Sequence, residues 1–285
     1  MAQNVVTYRI VRNYLSYLVA MNLKQKYGPL ALIAGASEGI GAAYAHHLAA
    51  AGINLVLIAR RKEQLELFAT ELTARYSIET ICIQEDLADP DAAERIAEHI
   101  KSYEINLFIY NAGNSYIGKF EEQSWKVHKE IAITNMITPL QLVYSIAPDM
   151  LKRGKGAIIL MASLAGFQGT PFIATYAATK AFDQILAEGL WYEWKNRGID
   201  VIACCAGATS SPNFLNTNPG KQHFMAPKVQ TPEEVVAECF KRLGTTPSFI
   251  TGRSNKVASF FMQRVLSRKK SVTTMGETTK KMYSV

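Results

Sequence analysis

The stretch Leu30-Ala31-Leu32-Ile33-Ala34-Gly35-Ala36-Ser37-Glu38-Gly39-Ile40-Gly41-Ala42-Ala43-Tyr44-Ala45 decides how the rest of the chain is read. A short apolar run of strand length meets a glycine-rich loop, and a helix-period segment comes directly after it. Glycine lets the backbone turn tightly and approach a pyrophosphate, while the first N–H groups of the helix supply positive potential. The spacing is Gly-x3-Gly-x-Gly over Gly35, Gly39 and Gly41, not the Gly-x-Gly-x-x-Gly of the usual dinucleotide fingerprint. Taken alone, the loop is weak evidence, since an ordinary strand-to-helix turn also explains it. Its meaning depends on the residues downstream.

Outward from this stretch the chain keeps the same alternation. Apolar runs at 31–34, 54–59, 80–84, 107–110, 157–161, 200–204 and 248–250 read as strands. Between them, 40–51, 62–75, 91–101, 121–151, 176–196 and 232–243 have helical period. Strands alternating with helices of this length imply right-handed crossovers and a parallel sheet covered on both faces. The expected fold is therefore α/β: a single-domain, Rossmann-like doubly wound parallel sheet of about seven strands. Ligands on such sheets bind at the carboxyl ends of the strands. The residue types that carry chemistry cluster there.

Arg60 and Arg61 follow the second strand, where an acid would bind the ribose hydroxyls of NAD. An arginine fork instead suits a 2′-phosphate, and Arg60, first after the strand, is the better placed. The plain alternative is a solvated helix start. Asp86-Leu87 follows the third strand and Asn111-Ala112-Gly113 the fourth. Ser163 ends the fifth, and Tyr176-Ala177-Ala178-Thr179-Lys180 opens the next helix. Residues i and i+4 share a helix face, so Lys180 lies beside Tyr176. An ammonium there favours the phenolate, and the phenol can pass a proton to a carbonyl oxygen as hydride arrives at carbon. Ser163 would hydrogen-bond the same oxygen. Asn135 stands four residues before Pro139, which has no N–H to offer the Asn135 carbonyl.

The order of these motifs resembles the short-chain dehydrogenase/reductase family over about residues 29–252. Tyr27-Gly28-Pro29 and Gly41-Ala42-Ala43-Tyr44-Ala45 look closest to its hydroxysteroid dehydrogenase and 3-oxoacyl-CoA reductase branch. The resemblance implies catalytic Ser163, Tyr176, Lys180 and Asn135, the last through a water held on its carbonyl. It implies a nicotinamide cofactor, NADP(H) before NAD(H), on Gly35, Ser37, Gly39, Ile40, Gly41, Arg60, Asp86, Leu87, Asn111, Ala112, Gly113, Tyr176, Lys180 and Thr209. Asp86 would meet the adenine and Thr209 the carboxamide. Glu38, where some NADP enzymes of the family carry a base, is a departure, as are Ala34 and Ala206. Homodimers or homotetramers are expected by analogy, through the helices at 121–151 and 176–196.

The net charge of +7 sits at the ends: +4 over residues 1–28 and +7 over 253–285, against −4 between them. The basic isoelectric point is thus no mark of a nucleic-acid-binding core. Four cysteines form no CxxC pair and no metal-ligand spacing, so structural thiols, no metal and a cytoplasmic setting are expected. The ends read as an N-terminal helical extension over 1–28 and a basic amphipathic helix over 253–270, with a disordered tail from Gly276. They suit either an anionic membrane surface or a partner subunit. Residues 210–228, with Phe214, Phe224 and Met225, read as a lid, and Phe167 and Phe172 as an opposite wall. Such a lining points to a bulky hydrophobic ketone or alcohol, although aromatics also simply pack. The other class open to the sequence is an NADPH-binding regulator without turnover.

Overall fold

The computed structural model describes residues 23–217, 229–283 and 285. Seven strands appear in the expected places: β1 (Leu30–Ala34), β2 (Asn54–Ala59), β3 (Thr80–Gln84), β4 (Leu107–Tyr110), β5 (Gly156–Ser163), β6 (Ile199–Ala206) and β7 (Ser248–Ile250). They pair in the order β3-β2-β1-β4-β5-β6-β7, every pair parallel. This is the doubly wound, Rossmann-like sheet. The order reverses beside β1, which puts a crevice at the carboxyl ends of β1 and β4.

The period of two along each strand sends alternate residues to opposite layers. Ile33, Leu57, Ile109 and Ile159 join one buried cluster, beneath α1 (Gly39–Ala50), α2 (Lys62–Tyr76) and α8 (Pro232–Arg242). Their neighbours Leu32, Val56, Phe108 and Ile158 join the other. That layer is closed by α3 (Ala92–Ile100), α5 (Thr138–Arg153) and α6 (Ala174–Trp194). Register then aligns the strand ends, since Ala34 faces Ile58 and Tyr110, and Ser163 faces Ala206. The loops that leave those residues share one rim.

Two helix expectations need correction. The 121–151 segment is not one α-helix: α4 (Trp125–Ala132) passes into a π-helical turn, Ile133–Ile137, before α5. There the Thr138 N–H bonds the Ile133 carbonyl, five residues back. Pro139 supplies no N–H at this point, and the wider turn sits where the regular ladder would need one. The C-terminus also differs. The basic helix expected over 253–270 is cut into α9 (Arg253–Phe260) and a π-helical turn that ends at the extended Leu266. Ser267 then starts a new helix, α10 (Arg268–Tyr283), its hydroxyl accepting from the Lys270 N–H at 3.3 Å. The tail from Gly276 is helical because it has something to pack on. Ser271 and Thr279 are buried, and a side chain at Gly276 would begin 3.1 Å from Pro171. The short helix α7 (Pro212–Asn216) opens the expected lid, while most of that segment, with Phe224 and Met225, lies outside the described residues, as does most of the N-terminal extension.

Candidate active site

The glycine loop is a close-packed cradle. At Gly41 a Cβ would lie 1.9 Å from the Gly35 carbonyl oxygen, so α1 can approach the loop only without a side chain there. Gly35 has φ +79° and would put a Cβ 2.7 Å from Ala112. Asn111 ties the two loops together, its Nδ2 donating to the Gly35 carbonyl at 2.8 Å. The first turn of α1 holds no acidic residue and receives no side-chain cap from Glu38, which leaves its amides available to an anion. The backbone fits a pyrophosphate.

A cleft of about 500 Å³ opens above this cradle. Gly35, Ser37, Gly39, Ile40, Arg60, Asp86, Leu87, Asn111, Ala112 and Gly113 line it together with Ser163, Tyr176, Lys180 and Thr209. Gly41 and Asn135 are buried behind the wall. The two arginines after β2 differ in their charge balance. Arg61 is bound to Glu38 at 2.7 Å, whereas Arg60 is exposed at the cleft and enters no ion pair among the described residues. Glu38, unexpected in this position, is thereby neutralised by its neighbour. Asp86 turns its Oδ1 to the Ala88 N–H, and the Thr209 hydroxyl donates to the Gly207 carbonyl at 3.0 Å.

On the side of the cleft formed by β5 and α6, β5 delivers Ser163, whose Oγ accepts from the Ala165 N–H at 3.2 Å. The first turn of α6 delivers Tyr176, and Lys180 follows one turn later, with its Nζ 6.0 Å from the Tyr176 ring centre. Lys180 is almost fully buried, and its Nζ donates to the Met161 carbonyl at 2.7 Å and to Asp183 Oδ2 at 2.9 Å. Burial disfavours the ammonium, yet Asp183 and Tyr176 outweigh it and hold Lys180 above its ordinary range. Asn135 acts as a clamp. Its Oδ1 accepts from the Asn114 N–H at 2.8 Å, and its Nδ2 donates to the Asn114 carbonyl and to Thr179 Oγ1, at 2.9 and 3.0 Å. It therefore joins the loop after β4 to α6.

Residues 29–222 match the family model described as short chain dehydrogenase. The chain belongs to the short-chain dehydrogenase family. A 7beta-hydroxysteroid dehydrogenase of Collinsella aerofaciens is 34% identical over 238 residues, covering 83% of this chain and 90% of that protein. A structure from work on 7beta-hydroxysteroid dehydrogenase stereoselectivity has a TM-score of 0.83 at 30% identity, covering 89% of this chain and 98% of that one. A short-chain dehydrogenase from Sphingobium yanoikuyae, solved in complex with NADPH, has a TM-score of 0.69 at 30% identity. It covers 78% of this chain and 87% of that one. The expected family and its hydroxysteroid dehydrogenase branch both hold, and the chain is an oxidoreductase.

For a short-chain dehydrogenase, the far wall of the cleft is where the structure departs most from expectation. Phe167 and Phe172 do not line it. Phe167 packs toward the core, and Phe172, at φ +66°, lines a separate small hollow with His128 and Tyr116. The apolar wall is built instead from Ile117, Ile173, Met282 and Tyr283, with Phe214 of the expected lid segment. Met282 and Tyr283 arrive on α10, anchored by Arg268, which donates to the Phe167 carbonyl at 2.9 Å. Their only sequence signal is the apolar pair at the end of a basic helix. Asp183 was legible in principle, three residues beyond Lys180 and so on the same helix face.

Proposed function

We propose that this short-chain dehydrogenase reduces a ketone, or oxidises the matching alcohol, on a bulky apolar substrate, with NADP(H) preferred over NAD(H). The observation that carries this reading is convergence: Ser163, Tyr176 and Lys180 line the same cleft as the glycine cradle and Arg60. A nicotinamide cofactor bound there supplies or accepts the hydride. Tyr176 gives its proton to the carbonyl oxygen in reduction and takes one from the alcohol in oxidation. Ser163 Oγ holds that oxygen, and the Lys180 ammonium eases loss of the phenol proton. Asn135 fixes the loop and helix that flank them, and its carbonyl, to which Pro139 has no N–H to offer, suits a water on the proton path.

Arg60, with its charge uncommitted, supports a 2′-phosphate and hence NADP(H). The apolar wall of Ile117, Ile173, Phe214, Met282 and Tyr283 supports a large hydrophobic substrate. The hydroxysteroid dehydrogenase relatives favour a steroid-like ketone within that class. Exposed Tyr144 on α5 and Ile185 and Tyr192 on α6 support assembly of copies through that face.

The test is oxidation of NADPH and NADH against a panel of hydrophobic ketones, with Tyr176→Phe as control. Turnover that favours NADPH and is lost in Tyr176→Phe, with cofactor binding kept, is the expected result. Near wild-type turnover in that variant would refute the assignment.

A further inference from the structure

We propose that Asp183 is a positioning residue of the hydride-transfer site, a buried counter-ion that fixes where the Lys180 ammonium points and tempers its pull on the Tyr176 proton. This rests on Tyr176 and Lys180 being the proton-transfer pair.

Asp183 is 1% exposed, and its Oδ2 lies 2.9 Å from Lys180 Nζ. A carboxylate taken out of water this completely is stable only when paired. Among the described residues Lys180 is its one ion-pair partner. The other oxygen, Oδ1, is buried and bonds no protein group among the described residues. Burial pushes its carboxyl up, to about 6, against the pull of Lys180.

No other charged group among the described residues competes for that pairing. Across from α6, burial pushes Cys205 of β6 up to about 12 and moves Tyr110 of β4 upward as well, so both stay neutral in the working range. Glu188, which also acts on Cys205, is occupied by Gln184 and Ser248. Tyr176 completes the set of titratable groups around Lys180.

The geometry then sets what Asp183 does. An ammonium has three N–H donors. Two are taken, by the Met161 carbonyl at 2.7 Å and by Asp183, which fixes the head group in position and leaves one for the cleft. With Asp183 ionised, the pair is close to neutral when viewed from Tyr176. Removing the negative charge while keeping the shape would expose the phenol to the full field of the ammonium. Proton loss would then occur at lower pH.

Asp183→Asn tests this, because asparagine keeps an oxygen that can accept from Lys180. The readouts are pH profiles of kcat for alcohol oxidation and for ketone reduction, with NADPH binding as the check on folding. The acid limb of oxidation and the alkaline limb of reduction should both move to lower pH by about one unit, the lower end of the effect of a nearby charge. Limbs that stay in place while the rate falls at every pH would overturn the proposal, leaving Asp183 a packing residue. Limbs that move upward would overturn it too. Should Asp183→Asn not accumulate as folded protein, Asp183→Ser removes the same charge, leaves room for water and carries the same expectation. Failure of the parent reading is separable: it would appear as turnover surviving in Tyr176→Phe, whatever the Asp183 profiles do.

Discussion

Replacing Arg60 with alanine should weaken NADPH about tenfold and leave NADH nearly unchanged. A hydrogen bond to a charged group contributes about 1.5–3 kcal/mol. Arg60 is exposed, which favours the low end, and about 1.4 kcal/mol is one factor of ten. The neighbouring pair makes the prediction sharper. Arg61 lies 2.7 Å from Glu38, so its charge is largely cancelled and Arg61→Ala should cost less than Arg60→Ala. Glu38→Gln should act in the opposite sense, since it frees Arg61 and removes a negative charge near the phosphate site. Through water, at a separation of about 7 Å, one charge contributes about 0.6 kcal/mol, so NADPH should bind about threefold more tightly. Titration of each variant with both cofactors, at low and at high salt, measures these ratios, and salt should shrink them. Equal loss of NADPH and NADH in Arg60→Ala, or weaker NADPH binding in Glu38→Gln, would refute the charge argument.

Two further outcomes come from geometry. Gly41→Ala places a methyl group 1.9 Å from the Gly35 carbonyl oxygen, a backbone atom that cannot swing aside. It should cost about 1–3 kcal/mol of stability and weaken NADPH and NADH alike; an unchanged Tm with normal binding would contradict the cradle. Removing residues 276–285 takes Met282 and Tyr283 from the cleft wall. The KM for a bulky ketone should rise severalfold with NADPH binding intact, whereas an unchanged KM would put α10 outside the substrate path.

The strand pattern was legible because the strands of this sheet are short and mostly apolar, and most are closed by a loop residue of a distinctive type. The runs at 54–59, 80–84, 107–110 and 248–250 match β2, β3, β4 and β7 at both ends. Parallel order came from the intervening helices, and the rim of loops came from parallel order. Asn111 shows how far such a reading extends. Its place after β4 was visible, but its bond to the Gly35 carbonyl depends on two loops meeting in space. The π-helical turn at Ile133–Ile137 was half legible, since Pro139 announces a lost N–H but not how the helix absorbs it.

What escaped the sequence was long-range burial. Gly276 reads locally as a helix breaker, and its value lies in letting α10 pass close to Pro171, more than a hundred positions earlier in the chain. Phe167 and Phe172 read as substrate wall because they lie between Ser163 and Tyr176, yet the chain turns both away from the cleft. Asp183 is the instructive case. The helical arithmetic that joins Tyr176 to Lys180 reaches Asp183 one turn further on, along the same face. Periodicity cannot say whether that face meets water or the sheet, and an aspartate on a helix is ordinarily a solvated one. The sheet decides it. Because β5 brings the Met161 carbonyl to 2.7 Å from Lys180, the lysine head group is drawn inward, and a carboxylate one turn beyond it must be buried with it. The residue that looks most like surface thereby becomes the charge nearest the proposed proton-transfer pair.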